Sequence, residues 1–253
     1  MPAHSRIPRR LPIGVALAAT CCALPGAARA VTPFVDLEAG VIWAGYNDVQ
    51  VPNPGGTRFS LTRDLDSAAA PYFRARLGVA IGRHTVFAFF TPVRLDARGD
   101  LPKDVSFAGE TFAAGDPVLA RYRFDSPRLT YRYGLVRRER LDLDLGVTAK
   151  IREAAISLQG RRYAEKTDTG FVPLLSFRVA WRLTPAVALS LDGDALAGGP
   201  GRAEDVAAAL EVRAREGVWV RAGYRILEGG ADVAAVYNFA LVNHLGAGVR
   251  VEL

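Results

Sequence analysis

Cysteine is almost absent from this 253-residue chain: Cys21 and Cys22 stand side by side near its start, and none follows Val31. Neither a disulfide nor a thiol-bound metal therefore organises residues 31–253. Histidine is nearly as scarce, with only His84 and His244 beyond Val31, and no Cys/His spacing of a metal site occurs. No basic run exceeds Arg137-Arg138, and no composition shift or linker divides residues 31–253. Gly198-Gly199-Pro200-Gly201 precedes a strand pattern instead of a helix, so it reads as a turn and not a phosphate cradle. Nucleic-acid binding, a cofactor, a metal and a second domain are all without support.

The basic balance of the whole chain is largely a property of its first thirty residues. Arg6, Arg9, Arg10 and Arg29 lie there while every acidic residue lies beyond, leaving 28 basic against 26 acidic residues and a formal charge of +2 from Val31 onward. Arg6, Arg9 and Arg10 precede an uncharged apolar run from Leu11 to Ala28, and Ala28-Arg29-Ala30 supplies the small residues of a cleavage site. Residues 1–30 are expected to be a secretory signal peptide. The alternatives are an N-terminal anchor, interrupted by Pro12, Gly14, Pro25 and Gly26, or lipoprotein processing at Cys21, where Ala18-Ala19-Thr20 makes a poor lipobox.

What is abundant is alternation. Leu141 to Ile151 is apolar at every odd position and charged, hydroxylated or glycine at every even one. A period of two residues makes a β-strand with one oily and one polar face. Four tight polar turns (Gly82-Arg83-His84, Arg137 to Arg140, Thr184-Pro185-Ala186, Arg215-Glu216-Gly217) separate such runs. If all four lie at one rim together with both ends of the segment, they join ten strands, predicted at 34–47, 69–82, 85–98, 119–136, 141–157, 171–183, 186–197, 204–215, 218–228 and 234–252. Long connections at 48–68, 99–118 and 158–170, with short ones at 198–203 and 229–233, fall at the other rim. Tight turns on one side and long loops on the other are expected of a membrane barrel with an even strand number, here about ten with eight or twelve as alternatives. Pro92, Pro127 and Pro173 fall inside these strands, where a missing N–H breaks the ladder. Pro127 and Pro173 suit bulges or strand beyond the hydrocarbon, and Pro92 has no sequence-level explanation.

Alternation alone does not say which face looks outward, but charge does. A Lys or Arg facing mid-bilayer costs about 2–4 kcal/mol, and the apolar faces of Phe73 to Ile81, Leu141 to Ile151, Leu175 to Leu183 and Val187 to Leu191 carry none. The polar faces mix Arg with Asp, Glu and glycine (Gly40, Gly78, Gly134, Gly146, Gly223, Gly246, Gly248), as a narrow lumen needs if long guanidinium groups are to fold into it. Trp43, Trp181, Tyr131, Tyr133, Tyr237 and Phe239 stand mainly near strand ends, as interfacial girdles require.

With these features the chain resembles the small bacterial outer-membrane β-barrels of the OmpA, OmpX and OmpW type, over residues 31–253 and through pattern alone. One departure is Leu253, where such barrels usually carry an aromatic. The resemblance implies an all-β antiparallel transmembrane barrel in the bacterial outer membrane. Outer-membrane lipid, lipopolysaccharide and the barrel-assembly machinery become its expected partners, and a monomer its expected state.

Placing strands side by side predicts a lumen charge network. Asp142 and Asp144 should neighbour Arg132, Arg178 and Arg182; Glu211 should meet Arg221; closure should set Arg250 beside Asp36 and Glu38. Such pairs fill and plug a barrel of this size, so the expected role is structural or surface interaction. A narrow passive channel for small solutes lined by the same residues is the alternative. A hydrolase built on His244 with Ser190, Asp192 and Asp194 is a third reading, without a motif to support it. In the connections, Arg161-Arg162 with Lys166 could meet lipid phosphates.

Overall fold

The computed structural model describes residues 31–199 and 201–253, so the proposed leader lies outside the described residues. The described chain is almost entirely strand. In order these are β1 (Val31–Gln50), β2 (Phe59–Ser60), β3 (Asp66–Ser67), β4 (Ala70–Ile81), β5 (His84–Phe90), β6 (Val93–Asp100), β7 (Val105–Phe107), β8 (Glu110–Phe112), β9 (Pro117–Asp125), β10 (Arg128–Arg137), β11 (Leu141–Gln159), β12 (Tyr163–Thr184), β13 (Val187–Gly198), β14 (Gly201–Arg215), β15 (Val218–Val233) and β16 (Val236–Glu252).

Each strand pairs antiparallel with its neighbours, and β16 returns to β1 in a register that sets Asp36 opposite Arg250 and Gly40 opposite Gly246. Counting β5 with β6 and β9 with β10 as single interrupted strands gives a closed ten-stranded barrel. All four tight turns lie at one rim, where Gly82 and Gly217 take φ of +60° and +69°, a region open to glycine. The outer surface is the apolar one: Leu37, Phe73, Leu77, Leu129, Val147, Leu175, Leu189 and Leu245 are all exposed. A continuous apolar belt of this kind is the surface a barrel presents to hydrocarbon. Tyr131 and Trp181 mark its edge near the tight turns.

The prolines account for the interruptions. Thr91-Pro92 separates β5 from β6, and Ser126-Pro127 separates β9 from β10. The two breaks are adjacent, because Phe89 pairs with Arg128 below them and Val93 with Phe124 above. Below the break β5 pairs with β4; above it β6 leaves β4 and its free edge takes β3 instead. A fourth strand unbroken from 119 to 136 was expected, and Pro127 is why it is two: with no N–H it cannot extend the ladder. Pro173, by contrast, stays in register opposite Ala149.

The outer half of the barrel differs from expectation in two further ways. Residues 158–170 are not a long loop, since β11 and β12 continue as a hairpin pairing Leu158 with Ala164 and Gln159 with Tyr163. The connections following β1 and β6 are not free in solvent either. Their Phe59, Leu61, Leu65, Leu101, Val105, Phe107 and Phe112 are buried against inward residues of the wall, among them Ile42, Leu158, Leu227 and Val242. The lumen-facing row of β16 accordingly changes character halfway up, from Arg250, Gly248, Gly246 and His244 to Val242 and Ala240.

Candidate functional site

The lumen of the lower half, toward the tight turns, is an ion-pair lattice. Residues expected to face each other do stand in register: Asp36 opposite Arg250, Asp144 opposite Arg178, Glu211 opposite Arg221. Their side chains mostly bond elsewhere. Inward side chains of a narrow barrel converge on its axis, so the nearest opposite charge is often two or more strands away.

Arg221 shows how. Its Nε lies 2.8 Å from Glu38 Oε2 and its Nη1 2.6 Å from Asp36 Oδ2. To reach them it crosses Gly248, which stands in register between Arg221 and Glu38 and has no side chain to obstruct it. Arg132 does the same over Gly146: it donates to Ser176 Oγ at 2.8 Å and to Asp192 Oδ2 at 2.6 Å instead of pairing with Asp142 or Asp144. Asp142 takes Arg182 as expected, whereas Asp144 takes Arg137. Arg178 donates to Glu211 at 2.7 Å, which leaves Arg221 free for β1. Arg250 pairs with Glu252 at 3.2 Å and lies 4.0 Å over the Phe34 ring, not against Asp36 or Glu38. Tyr72 spans the glycine row formed by Gly40, Gly246 and Gly223, donating to Glu38 Oε1 at 2.7 Å.

Eight members of the lattice were not singled out for it from the sequence: Arg74, Arg76, Arg128, Arg137, Asp192, Asp194, Asp205 and Arg225. Arg74 pairs with Glu38, and Arg76 with Asp192. Arg128 donates to Asp194 at 2.9 Å and approaches Asp205 at 2.5 Å, Thr148 donates to Asp194 at 2.8 Å, and Arg225 completes Asp205 at 2.6 Å. The signal was present in Arg74-Ala75-Arg76 and Asp192-Gly193-Asp194, whose alternate charges mark inward rows. Phe87 and Phe89 sit among these cations, with Arg128 4.8 Å over Phe89 and Arg132 5.1 Å over Phe87.

Two cavities result. A lower one of about 290 Å³ is lined by the charged lattice from Gly82 and Glu252 up to Arg225. An upper one of about 500 Å³ lies between β11–β12 and β13–β16 and is mostly apolar. They share no lining residue. Between them stands a buried septum of Arg128, Thr130, Thr148, Asp194, Asp205 and His244. His244 is fully buried, edge-on to Tyr72 at 4.9 Å, and neither ring nitrogen has a hydrogen-bond partner among the described residues. Ser190, Asp192 and Asp194 lie on β13, separated from His244 on β16 by β14 and β15. His84 lies at a tight turn, 2.9 Å from the Tyr131 hydroxyl.

At the outer rim Arg161 lies 3.3 Å from Asp116, and Arg162 2.6 Å from Glu110. These arginines therefore tie the β11–β12 hairpin to the connection after β6. Arg202 is bound by Glu228 at 2.7 and 2.8 Å and lies 4.9 Å over Phe239.

No family model matches the chain, and no curated protein matches its sequence. Among solved structures it is similar to the outer-membrane protease OmpT of Escherichia coli at 12% identity, covering 88% of this chain and 97% of that one with a TM-score of 0.51. It is also similar to an outer-membrane channel of Pseudomonas putida F1 (12% identity, 91% and 100% covered, TM-score 0.44). A third is Ail, the attachment invasion locus protein of Yersinia pestis (10% identity, 86% and 98% covered, TM-score 0.39). The likeness is one of fold: the chain is built as a small outer-membrane β-barrel.

Proposed function

We propose that this barrel sits in the bacterial outer membrane as a monomer with a sealed lumen, and that its role is structural or one of surface interaction instead of solute passage. The carrying observation is the septum: the two cavities are separated by buried, mutually paired charges and share no wall. An ion crossing there would have to break the contacts of Arg128 with Asp194 and Asp205 in a site closed to water, which costs several kcal/mol per exposed charge. Above the septum the apolar core around Phe107 packs beside the upper cavity. The outward apolar belt suits contact with outer-membrane lipid and lipopolysaccharide acyl chains, and a barrel of this kind suits insertion through the barrel-assembly machinery.

Planar-bilayer recording of the refolded protein tests this. A quiet membrane across the voltage range is expected. Discrete conductance steps, altered by Asp192→Asn, would replace the sealed barrel with a narrow channel.

A further inference from the structure

The upper cavity is open through the wall. The β12–β13 ladder runs from Thr184 opposite Val187 only as far as Leu175 opposite Ala195. Beyond that point β12 continues to Tyr163 paired on its β11 side alone, while β13 turns back at Gly198 into β14. Pro173, two residues past the last pair, has no N–H to offer a further rung. Leu196 shares the inward alternation of Asp192 and Asp194, yet it is 40% exposed because the wall beside it is missing. On the outside the cleft is flanked by Leu175 at 63% and Phe171 at 65% exposure, which belong to the apolar belt. The opening therefore meets hydrocarbon.

At the floor of this apolar cavity stands Lys150. It lines the cavity and is 2% exposed, and its ammonium lies 4.8 Å from the Phe124 ring. Among the described residues it has no ion-pair partner. The carboxylates of the septum are already bound, Asp194 by Arg128 and Thr148, Asp205 by Arg128 and Arg225. Three cations, Arg128, Arg225 and Lys150, thus stand around the two carboxylates of the septum. A buried ammonium without a counter-charge is costly, and an anion in the space before it offsets part of that cost.

We infer that the upper cavity is a binding site for an amphipathic carboxylate of fatty-acid type, which enters head first through the β12–β13 cleft, places its carboxylate on Lys150 and leaves its apolar chain against Ile156, Leu196, Leu227 and Val242. A volume of about 500 Å³ is in the range of small-molecule sites. A charge at the floor and an opening in the wall favour a single-chain acid over a two-chain lipid, whose headgroup would have to stay outside. The site is blind below, so it captures and does not conduct. This goes beyond the sealed-lumen reading and is separable from it, because conductance reports on the septum and binding on the cavity above it.

The test is equilibrium dialysis of radiolabelled decanoate, and of uncharged decanol, against the refolded protein in phosphatidylcholine nanodiscs, with empty discs subtracted. Saturable binding at one site is expected, with decanoate held ~10-fold more tightly than decanol, the scale of one charge-assisted contact. Lys150→Met should weaken decanoate ~10-fold and erase the preference. Ala203→Trp, which fills the cavity without touching the charge, should abolish binding of both and serves as the second variant if Lys150→Met fails to fold. Binding no greater than in empty discs, decanoate held equally by wild type and Lys150→Met, or equal affinity for acid and alcohol would each overturn the assignment.

Discussion

Arg128 approaches Asp205 at 2.5 Å across the lumen, with its own side chain fully shielded from solvent. Removing one partner of a buried pair leaves the other charged and unsolvated, which costs about 3–5 kcal/mol. Arg128→Ala, which also leaves Asp194 with only the Thr148 hydroxyl, is expected to destabilise the barrel by about that amount in urea unfolding from lipid vesicles followed by tryptophan fluorescence. A loss below about 1 kcal/mol would mean that water already reaches the septum.

Depth in the bilayer sets the second expectation. Val147 lies on the outer face and is exposed on the apolar belt, whereas Thr167 is exposed near the tip of the β11–β12 hairpin. Arg at 147 should cost about 2–4 kcal/mol and at 167 about 0–1 kcal/mol. Equal costs at the two positions would place the belt elsewhere on the barrel.

Gly246 is occupied space. A Cβ built there would collide with the Tyr72 hydroxyl, which lies over the glycine row. Gly246→Val should therefore lower stability by about 1–3 kcal/mol through overpacking, and Tyr72→Phe by about 1 kcal/mol through loss of its bond to Glu38. Measured against Gly246→Val and Tyr72→Ala alone, the combined Gly246→Val/Tyr72→Ala variant should lose less stability than the sum, since the second change removes the hydroxyl that the new Cβ meets. Strict additivity in the same unfolding assay would separate the two residues.

Phe107 is completely buried in the outer core and packs edge-on to Phe59 at 5.9 Å. Phe107→Ala should cost about 3–5 kcal/mol locally. Limited proteolysis is expected to cut the connection between β6 and β9 while leaving β10–β16 intact, because local opening need not melt the base. Resistance equal to wild type would show that the plug does not depend on this ring.

Much of this architecture was legible in the sequence. Two-residue periodicity and four tight turns yield ten strands, the closure of the last on the first and the outward apolar face. The outer half was not legible, because Phe239 to Val242 is apolar on both faces and a period-two reading cannot tell a lumen wall packed on a plug from one facing water. Residues 158–170 look like a loop because their polar side chains stand outside the hydrocarbon, yet they pair as strand. In the lumen, register neighbours were readable but ion-pair partners were not. Register is a property of the backbone, whereas Arg221 and Arg132 choose partners across a curved interior whose width the sequence does not state. Lys150 drew no notice, since its significance lies only in having no carboxylate left to meet.

The lattice also dictates an order of assembly. Arg221 joins Asp36 across 185 positions of chain, and Arg76 joins Asp192 across 116. Neither contact exists until the last hairpin zips against the first. While the ring is still unclosed these guanidinium groups have only their register neighbours, Glu211 for Arg221 and Asp36 for Arg76, and lack the cross-lumen carboxylates, so burying them half-paired is costly. They must stay hydrated throughout insertion, so the dry interior is acquired last, and the final seam between β16 and β1 is the step that expels its water.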